Sequence, residues 1–381
     1  SGSFGREQAA LARAYHRSFP QYAQTPLVSL PAMAARLGLG GIFVKDESKR
    51  FGLNAFKVLG GSYAIGRHIA ARAGLAAEKM EHAALTGADA REALGDAVFF
   101  TATDGNHGRG VAWTARELGC RAVVRMPKGT VQSRVENIRA LGAEVTVEEL
   151  NYDGCVRLAA QQAAQTPGGV LVQDTAWPGY EQIPLHIMQG YLTMALEADE
   201  QMQCPPTHVF LQAGVGSMPA ALAGYFTNIY AQHKPIITVV EPNKADCIFR
   251  TAKAADGRLH FVTEEMNTIM AGLACGEPCP IAWEVLRGCA DFFISFPDYA
   301  AAKGMRILSS PLPGDERIVS GESGASAFGC VMEILSNPAL SSLREELGID
   351  SNSRLLFIST EGATDRENYR AIVWDGKYPS F

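Results

Sequence analysis

The sequence has little of what membrane, secreted and nucleic-acid-binding proteins need. None of its apolar runs approaches the roughly 20 residues of a spanning helix, and its N-terminus lacks the charged-then-apolar pattern of a secretory signal. Its 34 Lys and Arg residues are outnumbered by 40 Asp and Glu residues, so the net charge is −6. That balance offers no basic surface for phosphate backbones or anionic lipids. We therefore expect a cytoplasmic protein that binds neither nucleic acid nor membranes.

Cysteine is also sparse. Eight cysteines in 381 residues are too dilute for a disulfide framework. No C-x2-C pair stands with a second pair or with histidines at zinc spacing, so we expect no metal site. A disulfide between Cys247 and Cys275 stays open, because sequence cannot supply the geometry that such a bond requires.

The sequence does contain a regular alternation of short apolar runs and longer stretches with helical spacing. Stretches of the second kind include 156–164 and 183–200. The apolar runs, which are rich in Val, Ile and Phe and predict buried strands, are 97–101, 122–126, 144–147, 170–173, 209–212, 236–240, 292–295 and 355–359. Strand followed by helix, repeated along the chain, is typical of parallel sheets covered by helices on both faces.

Glycine-rich turns follow three of these runs, and open α/β sheets bind ligands at such turns. The turns are TDGNHG at 103–108, AGVGSM at 213–218 and STEGAT at 359–364. The second turn can present successive backbone N–H groups to an anion at the start of a helix. It is not a dinucleotide fingerprint, because Pro219 stands where that motif needs glycine, and a nicotinamide dehydrogenase is therefore disfavoured.

A fourth segment, NAFKVLGG at 54–61, places Lys57 among apolar neighbours. A desolvated lysine has a lowered pKa and becomes a nucleophile able to form a Schiff base. On spacing alone, a lysine that extends its charge to the surface is the alternative. Asn106, in the first glycine turn, offers an amide to a cofactor hydroxyl, or it serves the turn alone.

These segments occur in the order found in the fold-type II pyridoxal-phosphate enzymes, and the sequence resembles that group from about residue 51 to 374. Within the group it is most similar to the diaminopropionate ammonia-lyases. The stretches that carry this similarity are TDGNHGRGVAW (103–113), QDTAWPGY (173–180), AGVGSM (213–218), IMAGLACGEP (269–278), SGESGA (320–325) and STEGATD (359–365).

The resemblance and the alternation together imply an α/β fold of two domains, whose parallel-rich twisted sheets are covered by helices. The cofactor is expected in the cleft between the domains. We predict a large cofactor-binding domain from residues 1–98 plus 146–381 and a small domain from 99–145. Relatives are usually homodimers, so we expect a homodimer here.

The resemblance also implies pyridoxal 5'-phosphate as the cofactor and assigns its binding residues. Lys57 would hold the aldehyde, with Phe56 and Asn106 nearby. Thr360, or Ser359 beside it, would contact the pyridine nitrogen. Glu322 would lie near the ring, or equally would act as a supporting or helix-capping residue. The phosphate would be bound by the turn residues Gly214, Val215, Gly216 and Ser217.

Two acids set the sequence apart from serine and threonine dehydratases, which it also resembles. Those enzymes usually carry a small residue where Asp104 stands, and Asp174 is a second acid at a strand end. Two carboxylates suit a substrate with a second amine, such as 2,3-diaminopropionate. For each acid alone, capping a helix or pairing with an arginine is the alternative.

The implied reaction is the α,β-elimination of D- and L-2,3-diaminopropionate to pyruvate and two ammonia. Lys57 and Asp104 would act as bases on opposite faces of the substrate, and Asp104 or Asp174 would hold the leaving ammonium. Two alternatives remain: a serine or threonine dehydratase with the same cofactor, and a non-catalytic amino-acid-binding relative. The presence of Lys57 speaks against the second of these.

Overall fold

The alternation of strands and helices forms two sheets, one in each of two compact units. The structure, a computed structural model, describes residues 2–380. The first unit contains Gln24–Ala55 and the chain from Met194 onward. The second unit contains Gly2–Ala23 and Phe56–Thr193.

The strands and helices of the described residues are numbered in chain order. Strands β1 to β10 are Leu27–Ser29, Gly41–Asp46, Val98–Ala102, Arg121–Met126, Glu144–Val147, Gly169–Leu171, His208–Gln212, Ile236–Pro242, Phe292–Phe296 and Arg354–Ser359. Helices α1 to α16 are Arg6–Arg17, Pro31–Leu37, Val58–Arg72, His82–Leu85, Ala88–Leu94, Asn106–Glu117, Gln132–Arg139, Tyr152–Gln165, Gln182–Gln201, Ser217–Ile229, Cys247–Ala254, Pro280–Cys289, Asp298–Ser309, Ser326–Ser336, Ser341–Glu346 and Arg366–Val373.

The first unit is built on a six-stranded sheet in the order β1-β2-β10-β7-β8-β9. Only β1 runs antiparallel to its neighbour, and the other pairs are parallel. Every residue of β7 is buried, as are the last five of β10, which explains why both read as continuous apolar runs. Because these central strands are parallel neighbours, the residues that follow them leave the same edge of the sheet.

The second unit is built on a four-stranded parallel sheet in the order β5-β4-β3-β6. The segment 99–145, predicted as the small domain, lies inside this unit, which extends well beyond it on both sides. The unit extends further because β6 pairs with β3, with Gly169 opposite Val98. These two residues are some 70 positions apart along the chain.

The eight predicted apolar runs correspond to β3 through β10, with ends that differ by a residue or two. Strands β1 and β2 were not predicted. All eight cysteines are free thiols, Cys247 and Cys275 included. Within residues 2–380, no helix combines the length and the apolar character needed to cross a bilayer.

Candidate cofactor and substrate site

In the second unit, Lys57 lies directly before helix α3, which packs closely against α9 through glycines. A Cβ atom on Gly60 would lie 2.6 Å from Tyr191, and one on Gly190 would lie 2.3 Å from the carbonyl oxygen of Leu59. Neither position has room for a larger side chain. This close helix packing fixes the start of α3 and therefore the backbone of Lys57.

The Lys57 ammonium forms an ion pair with Asp174, with 3.1 Å between Nζ and Oδ2. The two side chains are only 17% and 5% exposed. Burial acts to raise the pKa of Asp174, but attraction to the Lys57 ammonium, together with its hydrogen bond, outweighs burial and holds that pKa at about 2. Asp174 is therefore a carboxylate at neutral pH. The Tyr152 hydroxyl also donates to Asp174 at 3.4 Å.

Gln173 is a residue of this cluster that we did not single out from the sequence. Its amide oxygen accepts hydrogen bonds from Thr101 and from the backbone N–H of Ala102, and its amide nitrogen donates to the Tyr152 hydroxyl at 2.7 Å. The amide therefore links strand β3 to the tyrosine that contacts Asp174. Its position directly before Asp174, at the end of an apolar run, was the only signal in the sequence.

Asp104 lies in the turn between β3 and α6, which Thr103 holds in shape. The Thr103 hydroxyl accepts hydrogen bonds from the backbone N–H groups of Gly105 and Gly108, at 2.9 and 3.0 Å. Asp104 is half-buried, and its carboxylate makes no hydrogen bond or ion pair to residues 2–380. The two predicted acids thus differ, because Asp174 is paired and Asp104 is not.

Asn106 and His107 open helix α6. His107 is buried, and its Nε2 lies 2.8 Å from the carbonyl oxygen of Val172. Because a carbonyl only accepts, Nε2 carries the proton, and burial lowers the pKa of this imidazole. A neutral His107 thus ties the turn to the chain after β6. Asn106 is half-buried beside it.

In the first unit, the turn from Gly214 to Ser217 joins β7 to helix α10. Gly216 has φ +99°, a conformation that favours glycine, and a Cβ on Gly214 would lie 3.1 Å from the sulfur of Cys275. Glycine at 216 is therefore required by the backbone conformation, and a side chain at 214 would crowd Cys275. The first N–H groups of a helix have no intrahelical partner, so the start of α10 can bind an anion.

The turn after β10 holds the two predicted hydroxyls in different hydrogen bonds. Ser359 donates to the Ser320 hydroxyl at 2.7 Å. Thr360 accepts from the side-chain amide of Gln212 at 3.1 Å. Both hydroxyl residues are buried. Gln212, the last residue of β7, is a second residue that the sequence did not single out.

Two other predicted site residues make contacts inside their own units. The Glu322 carboxylate is buried and accepts from the side-chain amide of Asn368 at 2.5 Å, which links the segment 320–325 to α16. This contact matches the supporting role, one of the two roles that the sequence left open for Glu322. Phe56 is buried against Tyr191, with ring centroids 4.8 Å apart.

Comparison with known proteins shows which family the chain belongs to. A family model described as pyridoxal-phosphate dependent enzyme matches residues 19–343. The chain belongs to this family. Its membership confirms the predicted α/β fold class and the predicted cofactor. Both groups that the cofactor needs are present in the chain, a largely buried lysine amine and a glycine turn at a helix start.

Relatives within the family are similar over nearly the whole chain. Diaminopropionate ammonia-lyase of Salmonella typhimurium is 51% identical over 99% of this chain and 93% of its own length. The crystal structure of holo diaminopropionate ammonia-lyase from Escherichia coli is 48% identical, covers 99% of this chain and 94% of that one, and has a TM-score of 0.93. A second Escherichia coli structure, in complex with an aminoacrylate-pyridoxal-phosphate azomethine reaction intermediate, has the same identity and coverage and a TM-score of 0.91.

Proposed function

We propose that this protein is a pyridoxal-phosphate dependent ammonia-lyase that converts D- and L-2,3-diaminopropionate to pyruvate and two ammonia. The observation that carries the proposal is the similarity, at 51% identity over nearly the full length, to enzymes named for this reaction. The pair of acids, Asp104 and Asp174, supports the diamino substrate over a hydroxy amino acid, which brings no second ammonium.

Lys57 is the proposed attachment point and one of the two bases. Pyridoxal phosphate, when bound, supplies an electron sink for the bond that breaks at the α-carbon. Lys57 binds the aldehyde through Nζ, and once released its amine accepts the α-proton of one enantiomer. Its ion pair with Asp174 holds Nζ in one position.

Asp104 is the proposed base for the other enantiomer. Its carboxylate is not neutralised by a hydrogen bond or an ion pair to residues 2–380, so it is available to accept a proton. The leaving amine must depart protonated, because expulsion of an amide ion is prohibitive. A carboxylate that is ionised at neutral pH, as Asp174 is, keeps the substrate's β-ammonium charged and oriented.

The remaining predicted residues bind and orient the cofactor. The backbone N–H groups of Gly214, Val215, Gly216 and Ser217 bind the phosphate. For the pyridine nitrogen we favour Thr360 over Ser359, because the Ser359 hydroxyl already donates to Ser320. A hydroxyl partner does not force that nitrogen to be protonated, and this suits β-elimination better than a long-lived carbanion. Asn106 and Phe56 keep the cofactor roles that the resemblance implies, and Glu322 supports the site through its hydrogen bond from Asn368.

The test is release of pyruvate or 2-oxobutyrate by the cofactor-loaded protein. D- and L-2,3-diaminopropionate, D- and L-serine and L-threonine are supplied side by side, with Lys57→Ala as the inactive control. Selective turnover of the diamino acids is the expected result. Preference for serine or threonine would make the protein a dehydratase, and no turnover of any of them by a cofactor-loaded protein would make it a non-catalytic relative.

We further propose a homodimer located in the cytoplasm. Both statements rest on the family resemblance and on the sequence composition. Light scattering on the cofactor-loaded protein measures the first, and a mass of about one chain would overturn it.

A further inference from the structure

We propose that Gln212 is a positioning residue that fixes the direction of the Thr360 hydrogen bond, so that Thr360 donates its proton to the pyridine nitrogen. The inference rests on the proposed function, which assigns Thr360 to that nitrogen. It concerns a different residue and a different property, the protonation state of the ring. Gln212 ends β7 directly before the glycine turn.

The orientation of the Gln212 amide follows from its surroundings. Its Nε2 lies 2.9 Å from the carbonyl oxygen of Ile358, 3.1 Å from that of Ser323 and 3.4 Å from that of Gly324. Carbonyl oxygens only accept, so the NH₂ end of the amide must face them. The reversed amide would place an oxygen among three oxygens.

The other end of the amide contributes nothing to this orientation. Gln212 is buried, and its Oε1 has no hydrogen-bond partner within residues 2–380. A buried amide oxygen without a partner is unfavourable. The orientation of the Gln212 amide is therefore determined by the contacts of its nitrogen with the three carbonyls and with Thr360.

The Thr360 hydroxyl is consequently an acceptor toward Gln212. Nε2 lies 3.1 Å from Thr360 Oγ1, and an amide nitrogen donates but does not accept. The proton of Thr360 is therefore not used in this contact, and Thr360 donates no hydrogen bond to any residue that the structure describes. A hydroxyl with an unused proton suits a pyridine nitrogen that carries a lone pair, and suits a protonated one poorly.

The test is ¹⁵N NMR of the ring nitrogen in holoenzyme loaded with ¹⁵N-labelled pyridoxal phosphate. In the unaltered protein we expect the resonance of an unprotonated pyridine. Gln212→Met removes the donor that keeps Thr360 an acceptor in this contact, so the Thr360 proton is no longer directed at the ring and the resonance should shift toward that of a protonated ring. Gln212→Glu keeps the size but donates at most one proton, and only when it is protonated, so it should shift the resonance in the same direction.

A matched control separates this effect from packing. The control is Thr238→Val, on the neighbouring strand β8. It removes a buried hydroxyl that has no hydrogen-bond partner within residues 2–380, and it should leave the resonance unchanged. An unchanged resonance in Gln212→Met, or the resonance of a protonated ring in the unaltered holoenzyme, would overturn the inference.

Thr360→Ala distinguishes failure of this inference from failure of the proposed site. If Thr360→Ala leaves the resonance unmoved, the assignment of Thr360 itself is wrong. If Thr360→Ala moves it and Gln212→Met does not, only the role of Gln212 is wrong. Should the Gln212 variants not fold, neutron diffraction of the unaltered holoenzyme decides: a Thr360 deuteron directed at the ring nitrogen supports the inference, and one directed at Gln212 excludes it.

Discussion

The two carboxylates singled out in the sequence, Asp104 and Asp174, have different surroundings in the folded chain. Asp174 is paired with Lys57 at 3.1 Å, whereas the Asp104 carboxylate has no hydrogen bond or ion pair to residues 2–380. A carboxylate already paired with a lysine orients that lysine, and an unpaired one can accept a proton. Replacing each acid by asparagine should therefore reduce turnover in a different way.

Asp104→Asn should reduce turnover of one enantiomer of 2,3-diaminopropionate by about 10²- to 10⁴-fold, the usual contribution of a positioned base, and the other much less. Asp174→Asn is the matched comparison, and it should reduce both enantiomers alike because it releases Lys57. The measurement is kcat/KM for each enantiomer. Equal losses in Asp104→Asn would remove the face-specific base from this residue.

Lys57→Ala should abolish both turnover and the visible absorbance of the covalently bound cofactor, because no other amine takes its place. Lys79→Ala, at an exposed lysine in the same unit, is the control and should change neither. Absorbance spectra of the loaded, desalted proteins provide the measurement. A Lys57→Ala protein with an unchanged spectrum would show that a different lysine binds the cofactor.

At the scale of elements, the crossing of α3 and α9 depends on glycine. Gly190→Ala would place a methyl group 2.3 Å from the carbonyl oxygen of Leu59, so the free energy of unfolding should fall by about 1–3 kcal/mol. Gly288→Ala is the matched control: this helical glycine of α12 has no atom within 4 Å of its added Cβ, and alanine there should stabilise by about 0.5–1 kcal/mol. Urea denaturation measures both, and a neutral Gly190→Ala would show that α9 can move aside.

A buried acid links β8 to α11. Both oxygens of Glu241 accept backbone N–H groups at the start of α11, from Ile248 and Phe249. Burial raises the pKa of Glu241 more than these bonds lower it, to about 8. Between the ordinary glutamate pKa of about 4.3 and that value, the folded state binds a proton that the unfolded state does not.

The contribution of Glu241 to the free energy of unfolding should therefore fall as pH rises from about 4.5 through 8. Glu241→Gln cannot ionise, so its own stability should fall less over the same range. The difference between the two pH profiles, each from urea denaturation, isolates this residue from other titrating groups. Parallel profiles would mean that the N–H bonds hold Glu241 as a carboxylate throughout.

One of the two missed strands carries a charged residue into the core. Strand β2 was not predicted because its run Gly41–Asp46 contains Lys45, which is fully buried. That ammonium pairs with Glu197 at 2.8 Å, and Arg50 pairs with the same carboxylate at 2.7 Å. A sequence shows a charged residue but not its distant partner. The strands made of continuous apolar residues, in contrast, were predicted nearly to the residue.

At the scale of the whole molecule, sequence motifs predicted the fold class and cofactor, but hydrogen-bond networks remained hidden. The turn at 213–218 and Lys57 were recognisable because their residue types are specific to phosphate binding and to amine chemistry. Gln212 and Gln173 were not recognisable, because the amides act through Thr360 and Tyr152, which are more than 20 residues away along the chain. The pairing of β6 with a strand some 70 residues away is hidden from sequence for a similar reason.

Removal of the cofactor tests the folded chain as a whole. A ligand that binds only the folded state adds stability by mass action, about 2.7 kcal/mol at a concentration 100-fold above its Kd. The cofactor-loaded protein should therefore unfold at a higher temperature than the apoprotein, and Lys57→Ala should lose most of that gain because the covalent link is absent. Calorimetry of the apo, loaded and Lys57→Ala proteins at equal cofactor concentration provides the comparison. An equal gain in Lys57→Ala would mean that the phosphate turn and the ring contacts supply nearly all of the binding energy, and that Lys57 serves the reaction alone.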